Sequence, residues 1–371
     1  MLAAFAAATG YGIALPRLPE LLEALPGAGG PAWLARHVGG LTATYFASAL
    51  LAAPLWGRLS DRFGRRSILA IGAGGFAIGL VATELAGNLG GLYIARGLDG
   101  GFTAAVAPTA LAYLADRWPA PDARARRFAW LNASVLAGYL AGPLMGEVLA
   151  GVGKLAPVIA PGALATVGAA LMIVLEPDPG LRSRQALRAR GPLGARTYLL
   201  ALSAIAVGAV VAQELAVMPL GSAGGRTSAA LLLSFCGGVM FLTEVVIFAG
   251  RNAAARATGL MRPLLILLAL VLAASPLLAG FWLQALAISA VASAAAALNV
   301  LASYLTSRLQ SGAQGAGLGL QAAAASAGQL IAALATGLSQ SVGSPIALWG
   351  AASLALGLAL IPAGRMARER D

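Results

Sequence analysis

Long apolar runs alternate with short polar segments along the whole chain. A helix needs about 20 apolar residues to cross a bilayer, and Pro, Gly and clustered charges mark where each run ends. Twelve runs fit this description: residues 1–16, 37–57, 67–87, 90–114, 127–151, 156–175, 197–220, 228–249, 261–280, 282–305, 315–338 and 343–363. The pattern predicts an all-α membrane protein with twelve transmembrane helices.

Basic residues are concentrated in alternate loops, which predicts the orientation. Of the 25 Lys and Arg residues, twenty lie after the even-numbered helices and four lie on the opposite side. Lys and Arg favour cytoplasmic loops, so both termini are expected in the cytoplasm. The first run begins at Met1 without a basic leader, and we therefore expect no cleaved signal peptide. The basic residues are needed for orientation, and we expect no nucleic-acid partner.

The longest polar connection divides the chain into two halves. It carries five arginines between two sets of six predicted helices. We expect an N-terminal six-helix bundle at 1–175, a cytoplasmic basic linker at 176–196 and a C-terminal six-helix bundle with a short tail at 197–371. Two bundles related by an axis along the membrane normal are a known transporter plan.

Composition excludes the main alternatives to a membrane protein. Apolar residues make up 59% of the 371 residues and charged residues only 11%. A soluble fold needs more polar surface, and a disordered chain has fewer apolar residues. The single Cys236 excludes a disulfide scaffold. One histidine, one cysteine and no His-Glu-x-x-His pair leave a metalloprotease or a His-dependent enzyme without its parts, and we expect no enzyme, metal or organic cofactor.

The loop after the second predicted helix carries the sharpest motif, residues 57–66 with the sequence GRLSDRFGRR. Gly57 and Gly64 permit close backbone approach. Asp61 is suited to face a helix N-terminus, where the dipole favours a carboxylate. A generic basic loop is the simpler alternative.

The fourth predicted helix contains a charged pair, Arg96 and Asp99. Residues three apart share a helix face, and Thr103 continues that face. A charge at membrane depth is costly and usually functional. The alternative is a structural ion pair that neutralises itself.

The fifth predicted helix has glycines at a four-residue spacing: Gly138, Gly142 and Gly146. They line one face and allow close helix packing, while Pro143 bends the helix. Ordinary small-residue packing is the alternative.

Together these motifs resemble the major facilitator superfamily, and the stretch 45–175 is similar to its tetracycline-type drug/proton antiporters. The resemblance implies that Asp61, Arg62 and Arg65 form a conformational latch, with Asp116 as a partner. It links Arg96 to proton coupling and the glycines and Pro143 to the antiporter motif. Asp99 and Glu147 depart from the family pattern, which has a neutral residue and a glycine there.

The second half matches this group more weakly, and one departure concerns the substrate. Tetracycline exporters carry an acidic residue in the first helix, and the matching stretch here, residues 6–12, has none. We therefore do not predict tetracycline as the substrate.

Proton coupling needs a titratable group within the spans. The candidates are Asp99 with Arg96, Glu147, Glu214 and Glu244, and Glu214 is preferred because no cation is evident in its own helix. The resemblance implies that the first, fourth, seventh and tenth helices line the cavity. By position its lining includes Thr9, Tyr11, Arg96, Asp99, Thr103, Gln213, Glu214 and Asn299. More acids than bases favour a cationic or zwitterionic solute.

The sequence thus predicts proton-coupled export of a small organic molecule by alternating access. We expect a monomer in the inner membrane of a bacterium, with protons as the coupling ion and the bilayer and solute as partners. Three alternatives stay open: export of an endogenous metabolite such as a siderophore or metallophore, import or facilitated diffusion, and a non-transporting scaffold or sensor.

Overall fold

The computed structural model describes residues 1–175, 193–223, 226–248, 253–278, 280–309, 314–342 and 344–361. Most of the predicted linker, residues 176–192, and the tail at 362–371 lie outside the described residues.

The described residues form thirteen α-helices, and the fourth and fifth together make one broken span. Their bounds are α1 Leu2–Glu23, α2 Pro31–Phe63, α3 Arg65–Leu85, α4 Leu89–Thr103, α5 Val106–Arg117, α6 Pro121–Ala150, α7 Ala156–Leu175, α8 Leu193–Ala223, α9 Arg226–Phe248, α10 Ala253–Ala274, α11 Phe281–Leu309, α12 Gln314–Val342 and α13 Ile346–Leu360. The prediction of twelve spans is confirmed. Eight of the described helices are individually long and apolar enough to cross a bilayer.

The outer surface of the bundle is apolar, as a bilayer requires. Large apolar side chains are exposed all around it, among them Leu51, Ile78, Ile94, Val148 and Trp282. In water such a surface would be an aggregation site, whereas in lipid it is the contact surface. The chain is therefore a multi-pass membrane protein.

The first span is longer than the sequence indicated. We expected it to end near Pro16, but α1 continues through Pro16 and Pro19 to Glu23. Each proline removes only one backbone hydrogen bond, and a membrane helix tolerates that loss. Arg17, which looked like a loop residue, forms a 2.6 Å ion pair with Glu84 of α3 and is thereby neutralised inside the bundle.

The fourth span is broken after Thr103. Pro108 lies in the first turn of α5, and its ring is incompatible with a helical carbonyl four residues earlier, at Ala104. The chain therefore bends between α4 and α5, which the sequence interpretation treated as one straight helix over 90–114.

Two pairs of helices join the first half, α1–α7, to the second half, α8–α13. α2 packs along α12, and α6 packs along α9. At the first of these contacts a Cβ on Gly57 would lie 2.3 Å from the carbonyl oxygen of Gly315. The two backbones touch there only because both residues are glycines.

Glycine also fixes the contact of α6 with α1. A Cβ on Gly142 would lie 2.8 Å from the carbonyl oxygen of Thr9 and 3.0 Å from the Cα of Gly12. Gly138 is equally close to α1, at the carbonyl oxygen of Phe5, while Gly146 faces Ile13 at an ordinary distance.

We expect Gly142→Ala to destabilise the protein by about 1–3 kcal/mol, because backbone atoms of α1 would have to move. The measurement is the apparent thermal unfolding midpoint in detergent. Gly74→Ala in α3 is the matched control, since a Cβ there meets nothing within 4 Å. Equal midpoints for the two variants would contradict this account of the α1–α6 contact.

Candidate functional site

A cavity lies between the two halves of the bundle. It contains about 970 Å³ of space free of protein atoms, part of it open to the outside, which is the size of a small-molecule site. Its lining comes from six helices of both halves: Tyr11, Gly12, Leu15, Asn132, Val135, Leu136, Tyr139, Pro143, Val207, Val210, Val211, Glu214, Cys236, Gly237, Met240, Ala295, Ala296, Asn299 and Gln329.

One wall of the cavity is aromatic. Tyr11 of α1 lies with its ring centroid 5.6 Å from that of Tyr139 on α6, in an edge-on arrangement. Behind it the ring of Tyr45 on α2 lies 5.4 Å away. The hydroxyl of Tyr11 is buried without a hydrogen-bond partner in the described residues. Such a wall offers ring faces to an apolar or cationic ligand and one free hydroxyl to a polar group.

Among the described residues of the cavity lining, Glu214 of α8 is the single acidic residue, and none is Lys or Arg. Besides the two tyrosine hydroxyls and the Cys236 thiol, the polar groups there are amides on three helices, Asn132, Asn299 and Gln329. The Asn299 oxygen accepts a hydrogen bond of 3.3 Å from Gln321 of α12. The cavity therefore carries an uncompensated acid among neutral groups.

The Arg96–Asp99 pair lies behind the aromatic wall and not in the cavity lining. Arg96 donates to Asp99 at 2.6 Å, and both are almost wholly buried. The Arg96 guanidinium sits 4.5 Å from the ring centroid of Tyr45, which separates it from Tyr11. Two guanidinium nitrogens of Arg96 have no hydrogen-bond partner in the described residues. Arg96 and Asp99 thus form an ion pair within α4, and their expected role in proton coupling stays a prediction.

Three expected cavity residues lie elsewhere. Thr9 is buried in the α1–α6 contact, and its hydroxyl donates to the carbonyl of Phe5. Thr103 donates to Asp99 at 3.3 Å. Gln213 faces away from Glu214 and donates to Ser275 at 2.6 Å, at the bend between α10 and α11. These placements are corrections, because adjacent positions on a helix point in different directions.

Two further acids differ from expectation in opposite ways. Glu147 is exposed near the end of α6 and is not a buried acid of the cavity. Glu244 of α9 is only 1% exposed and accepts a hydrogen bond from the Asn132 amide of α6. Glu147 follows Gly146 on α6, and only the glycine side of that helix faces α1.

The residues of the antiporter-type motif have two different positions on α6. Gly138, Gly142 and Gly146 face α1, as described above, whereas Pro143 lines the cavity. Close packing against α1 brings Tyr11 next to Tyr139, so these small residues position the aromatic wall.

The end of the bundle where α2 meets α3, called here the latch end, is closed by Asp61. Its two carboxylate oxygens accept hydrogen bonds from the backbone N–H groups of Gly315 (3.0 Å) and Ala316 (2.8 Å), at the start of α12. A carboxylate at a helix N-terminus satisfies free N–H groups and complements the helix dipole. Asp61 thus ties the first half to the second.

Arg65 holds Asp61 in place. Its guanidinium lies 2.6 Å from Asp61 and 3.1 Å from Asp116, and it donates to the Ser60 hydroxyl at 2.6 Å. Gly64, with a φ of 93°, is the single residue that links α2 to α3 and turns Arg65 back toward Asp61. A residue with a Cβ would be strained at this φ.

Arg62 is not part of this network. It is exposed, its guanidinium lies over the ring of Phe63, and it forms no ion pair in the described part of the chain. The expected role of Arg62 in the latch is therefore corrected: Arg65 makes the contacts. Arg62 lies before Gly64, at the end of α2, and Arg65 lies after it, at the start of α3. The turn at Gly64 therefore directs only Arg65 toward Asp61.

Sequence reasoning missed several functional candidates. Asn132, Tyr139 and Gln329 line the cavity, and Tyr45 backs it. A signal was present for Asn132, since an amide in an apolar span requires a hydrogen-bond partner. The aromatic residues gave no such signal, because aromatic side chains are as common in lipid contact as in a cavity.

The sequence model of the Major Facilitator Superfamily matches residues 1–279, three quarters of the chain. Over 153 residues the chain is 37% identical to a class G tetracycline resistance protein of Vibrio anguillarum, covering 41% of this chain and 38% of that protein. Over 201 residues it is 33% identical to a class C tetracycline resistance protein of Escherichia coli, covering 54% of this chain and 50% of that protein. The matches thus span half or less of these relatives.

The fold also matches a solved structure over almost its whole length. The crystal structure of the human organic anion transporter MFSD10 superposes with a TM-score of 0.73 at 18% identity, covering 96% of both chains. At this identity the likeness concerns the fold alone.

We expect Asp61→Asn to open the latch end in a larger fraction of molecules. The variant loses the ion pair with Arg65 and keeps at most one of the two backbone hydrogen bonds. A hydrogen bond to a charged group contributes about 1.5–3 kcal/mol, and 1.4 kcal/mol is a tenfold change in population.

The measurement is the distance between spin labels on cysteines that replace Arg126 of α6 and Arg308 of α11, both exposed at the latch end. Asp122→Asn is the control, because Asp122 is an exposed acid at the same end. A distance distribution that is the same for Asp61→Asn and Asp122→Asn would contradict a latching role.

Proposed function

Because this chain belongs to the major facilitator superfamily, we propose that it exports a small organic cation in exchange for protons, by alternating access. The observation that carries the proposal is Glu214, the single acidic group among the described residues that line a cavity between the two halves. Both the fold and the family are those of transporters and not of enzymes.

Charge selects the substrate class. Three other carboxylates are buried in the described residues. Asp99 is paired with Arg96 and Glu84 with Arg17, so neither adds net charge, and Glu244 lies outside the cavity lining, bound to the Asn132 amide. At an effective dielectric constant of about 20, unit charges about 4 Å apart attract by about 4 kcal/mol. A cation beside Glu214 gains part of this energy, and an anion is repelled.

The remaining lining favours an amphiphilic cation over a hydrated metal ion. Valine, leucine and methionine side chains surround Glu214, and the rings of Tyr11 and Tyr139 form one wall. An organic cation gains both from burial of its apolar part and from attraction to a ring face. The amides Asn132, Asn299 and Gln329 supply hydrogen bonds that orient it.

Exchange with protons follows from one shared carboxylate. When Glu214 holds a proton it is neutral and no longer attracts the cation, and when the cation is bound the proton is excluded. Each substrate therefore leaves the site as the other enters. The glycine–proline face of α6, which resembles the antiporter motif, supports the same direction of coupling.

The latch provides the conformational half of the cycle. With Asp61 bound to the start of α12, the latch end is closed, and rocking of one half against the other must break these hydrogen bonds. The excess of Lys and Arg in the loops of this end supports a cytoplasmic location by the positive-inside rule. We propose the inner membrane of a bacterium, with both termini in the cytoplasm.

Tetracycline is not the proposed substrate, although two relatives are named for resistance to it. The stretch of α1 from Ala6 to Gly12 lacks an acidic residue, and Tyr11 stands in the cavity wall. The acid of this cavity lies on α8 instead.

We expect Glu214→Gln to weaken the binding of ethidium, a planar organic cation, by at least about tenfold at neutral pH, since the carboxylate attraction is removed. Fluorescence titration of purified protein in detergent measures the dissociation constant. Glu23→Gln is the matched control, because Glu23 is an exposed acid at the end of α1.

Two results would contradict the proposed function. One is ethidium binding by Glu214→Gln that equals binding by the Glu23→Gln control. The other is no ethidium binding by the unaltered protein, combined with binding of an organic anion.

A further inference from the structure

A second carboxylate joins the two halves, on the α6–α9 pair and not on the α2–α12 pair that carries the latch. The amide nitrogen of Asn132 on α6 donates to one oxygen of Glu244 on α9, with a very short contact. α6 belongs to the first half and α9 to the second, so this hydrogen bond crosses between them. It is the counterpart, on the α6–α9 pair, of Asp61 on the α2–α12 pair.

Glu244 forms no ion pair with any cation among the residues whose side chains the structure describes. It is 1% exposed, and its second carboxylate oxygen is buried without a hydrogen-bond partner in the described residues. The nearest elements are α6, α8, α10, α11 and α1. They carry these titratable or charged groups: Asp122, Arg124, Arg126, Arg127, Tyr139 and Glu147 on α6, Arg196, Tyr198 and Glu214 on α8, Arg256 and Arg262 on α10, Tyr304 and Arg308 on α11, and Tyr11, Arg17, Glu20 and Glu23 on α1.

The side chain of Arg256 lies outside the described residues, and none of the other groups forms an ion pair with Glu244. Arg262 and Arg308 are exposed, while Tyr11, Tyr139 and Glu214 line the cavity. A buried acid without an ion-pair partner is the kind of group that binds a proton reversibly in a transporter.

The pair also borders the cavity directly. Asn132 is part of the lining, and so is Met240, one helical turn before Glu244. A ligand in the cavity therefore lies next to the Asn132 amide that donates to Glu244.

We propose that Glu244 is a proton-binding site of the transport cycle and that Asn132 is its positioning residue, so that a proton on Glu244 loosens the contact of α6 with α9. The inference rests on the proposed function, in which Glu214 binds the cation.

The step balances with one proton. A hydrogen bond to an ionised carboxylate is about twice as strong as one to a neutral acid. A proton that enters from outside adds to the Glu244 carboxylate and weakens its bond to Asn132, and the halves can then separate at the latch end. When that end is open, the proton leaves to the cytoplasm, a cation enters the cavity and favours the ionised carboxylate, and the bond to Asn132 forms again.

This arrangement divides the work between two acids. Glu214 binds the cation directly. Glu244 responds to the positive charge of that cation by losing or gaining a proton, which strengthens or weakens the contact of α6 with α9. Glu214 still exchanges cation for proton within the cavity, but without Glu244 this exchange no longer changes the contact of α6 with α9. Glu244→Gln is therefore expected to keep cargo binding and to lose coupling.

The test compares driven and undriven transport of ethidium in proteoliposomes. For Glu244→Gln we expect ethidium binding within about threefold of the unaltered protein and normal exchange at equal pH. Accumulation driven by a pH gradient is expected to fall at least tenfold, because the amide takes no proton. Glu23→Gln is expected to behave as the unaltered protein in all three assays. Undiminished driven accumulation by Glu244→Gln would overturn the inference.

A second variant guards against a folding defect. Asn132→Ala keeps the acid but removes its donor, and we expect the ratio of driven accumulation to exchange to fall at least threefold. This ratio is taken within one preparation, so a lower yield of protein cancels. An unchanged ratio would count against Asn132 as the positioning residue.

A ligand-free measurement separates this inference from the proposed function. With spin labels at positions 126 and 308, we expect the distance in the unaltered protein to lengthen as the pH falls and to be independent of pH in Glu244→Gln. This result stands even if ethidium fails to bind, which would overturn only the cation proposal. The same pH dependence in both proteins would overturn the role of Glu244.

Discussion

The architecture depends on one constraint: a charge at membrane depth has to be neutralised by a partner or used. Arg96 and Asp99 neutralise each other, and Arg17 and Glu84 do the same. Asp61 is neutralised by Arg65 and by the start of α12. Glu214 and Glu244 are buried or half-buried without an ion pair among the described residues, and these two acids carry the proposed cation and proton. The proposed function rests on this difference between paired and unpaired acids.

The two largest contacts between the halves each combine close helix packing with one carboxylate. On α2 and α12, Gly57 and Gly315 let the backbones touch, and Asp61 binds N–H groups of the opposite half. On α6 and α9, a Cβ on Gly237 would lie 2.9 Å from the backbone nitrogen of Leu140, and Glu244 binds the Asn132 amide. Small residues bring the helices together, and the carboxylates make the contact reversible, since a hydrogen bond to an acid depends on its charge.

The spans and the latch loop could be predicted from the sequence, because both depend on local features. Apolar run length, loop charge and the GRLSDRFGRR stretch can be recognised without knowledge of neighbouring helices.

The direction in which a side chain points within the bundle could not be predicted, because it depends on how the neighbouring helices pack. Tyr11 lines the cavity and Thr9 does not, Glu214 does and Gln213 does not, and α6 contributes more of the lining than α4. The break after Thr103 and the continuation of α1 through two prolines turn these faces further. The proposed role of Asn132 depends on Glu244, which belongs to another helix and lies far from it in sequence.

The most direct test of the central claim is the proton movement that accompanies cation flux. Purified protein is placed in sealed vesicles that contain a pH-sensitive dye, with the membrane potential clamped and equal pH on both sides, and ethidium is added outside. The account predicts that ethidium enters while protons leave, so the lumen becomes more alkaline, and that protein-free vesicles do not respond. Ethidium entry without a change of luminal pH, or with acidification, would contradict it.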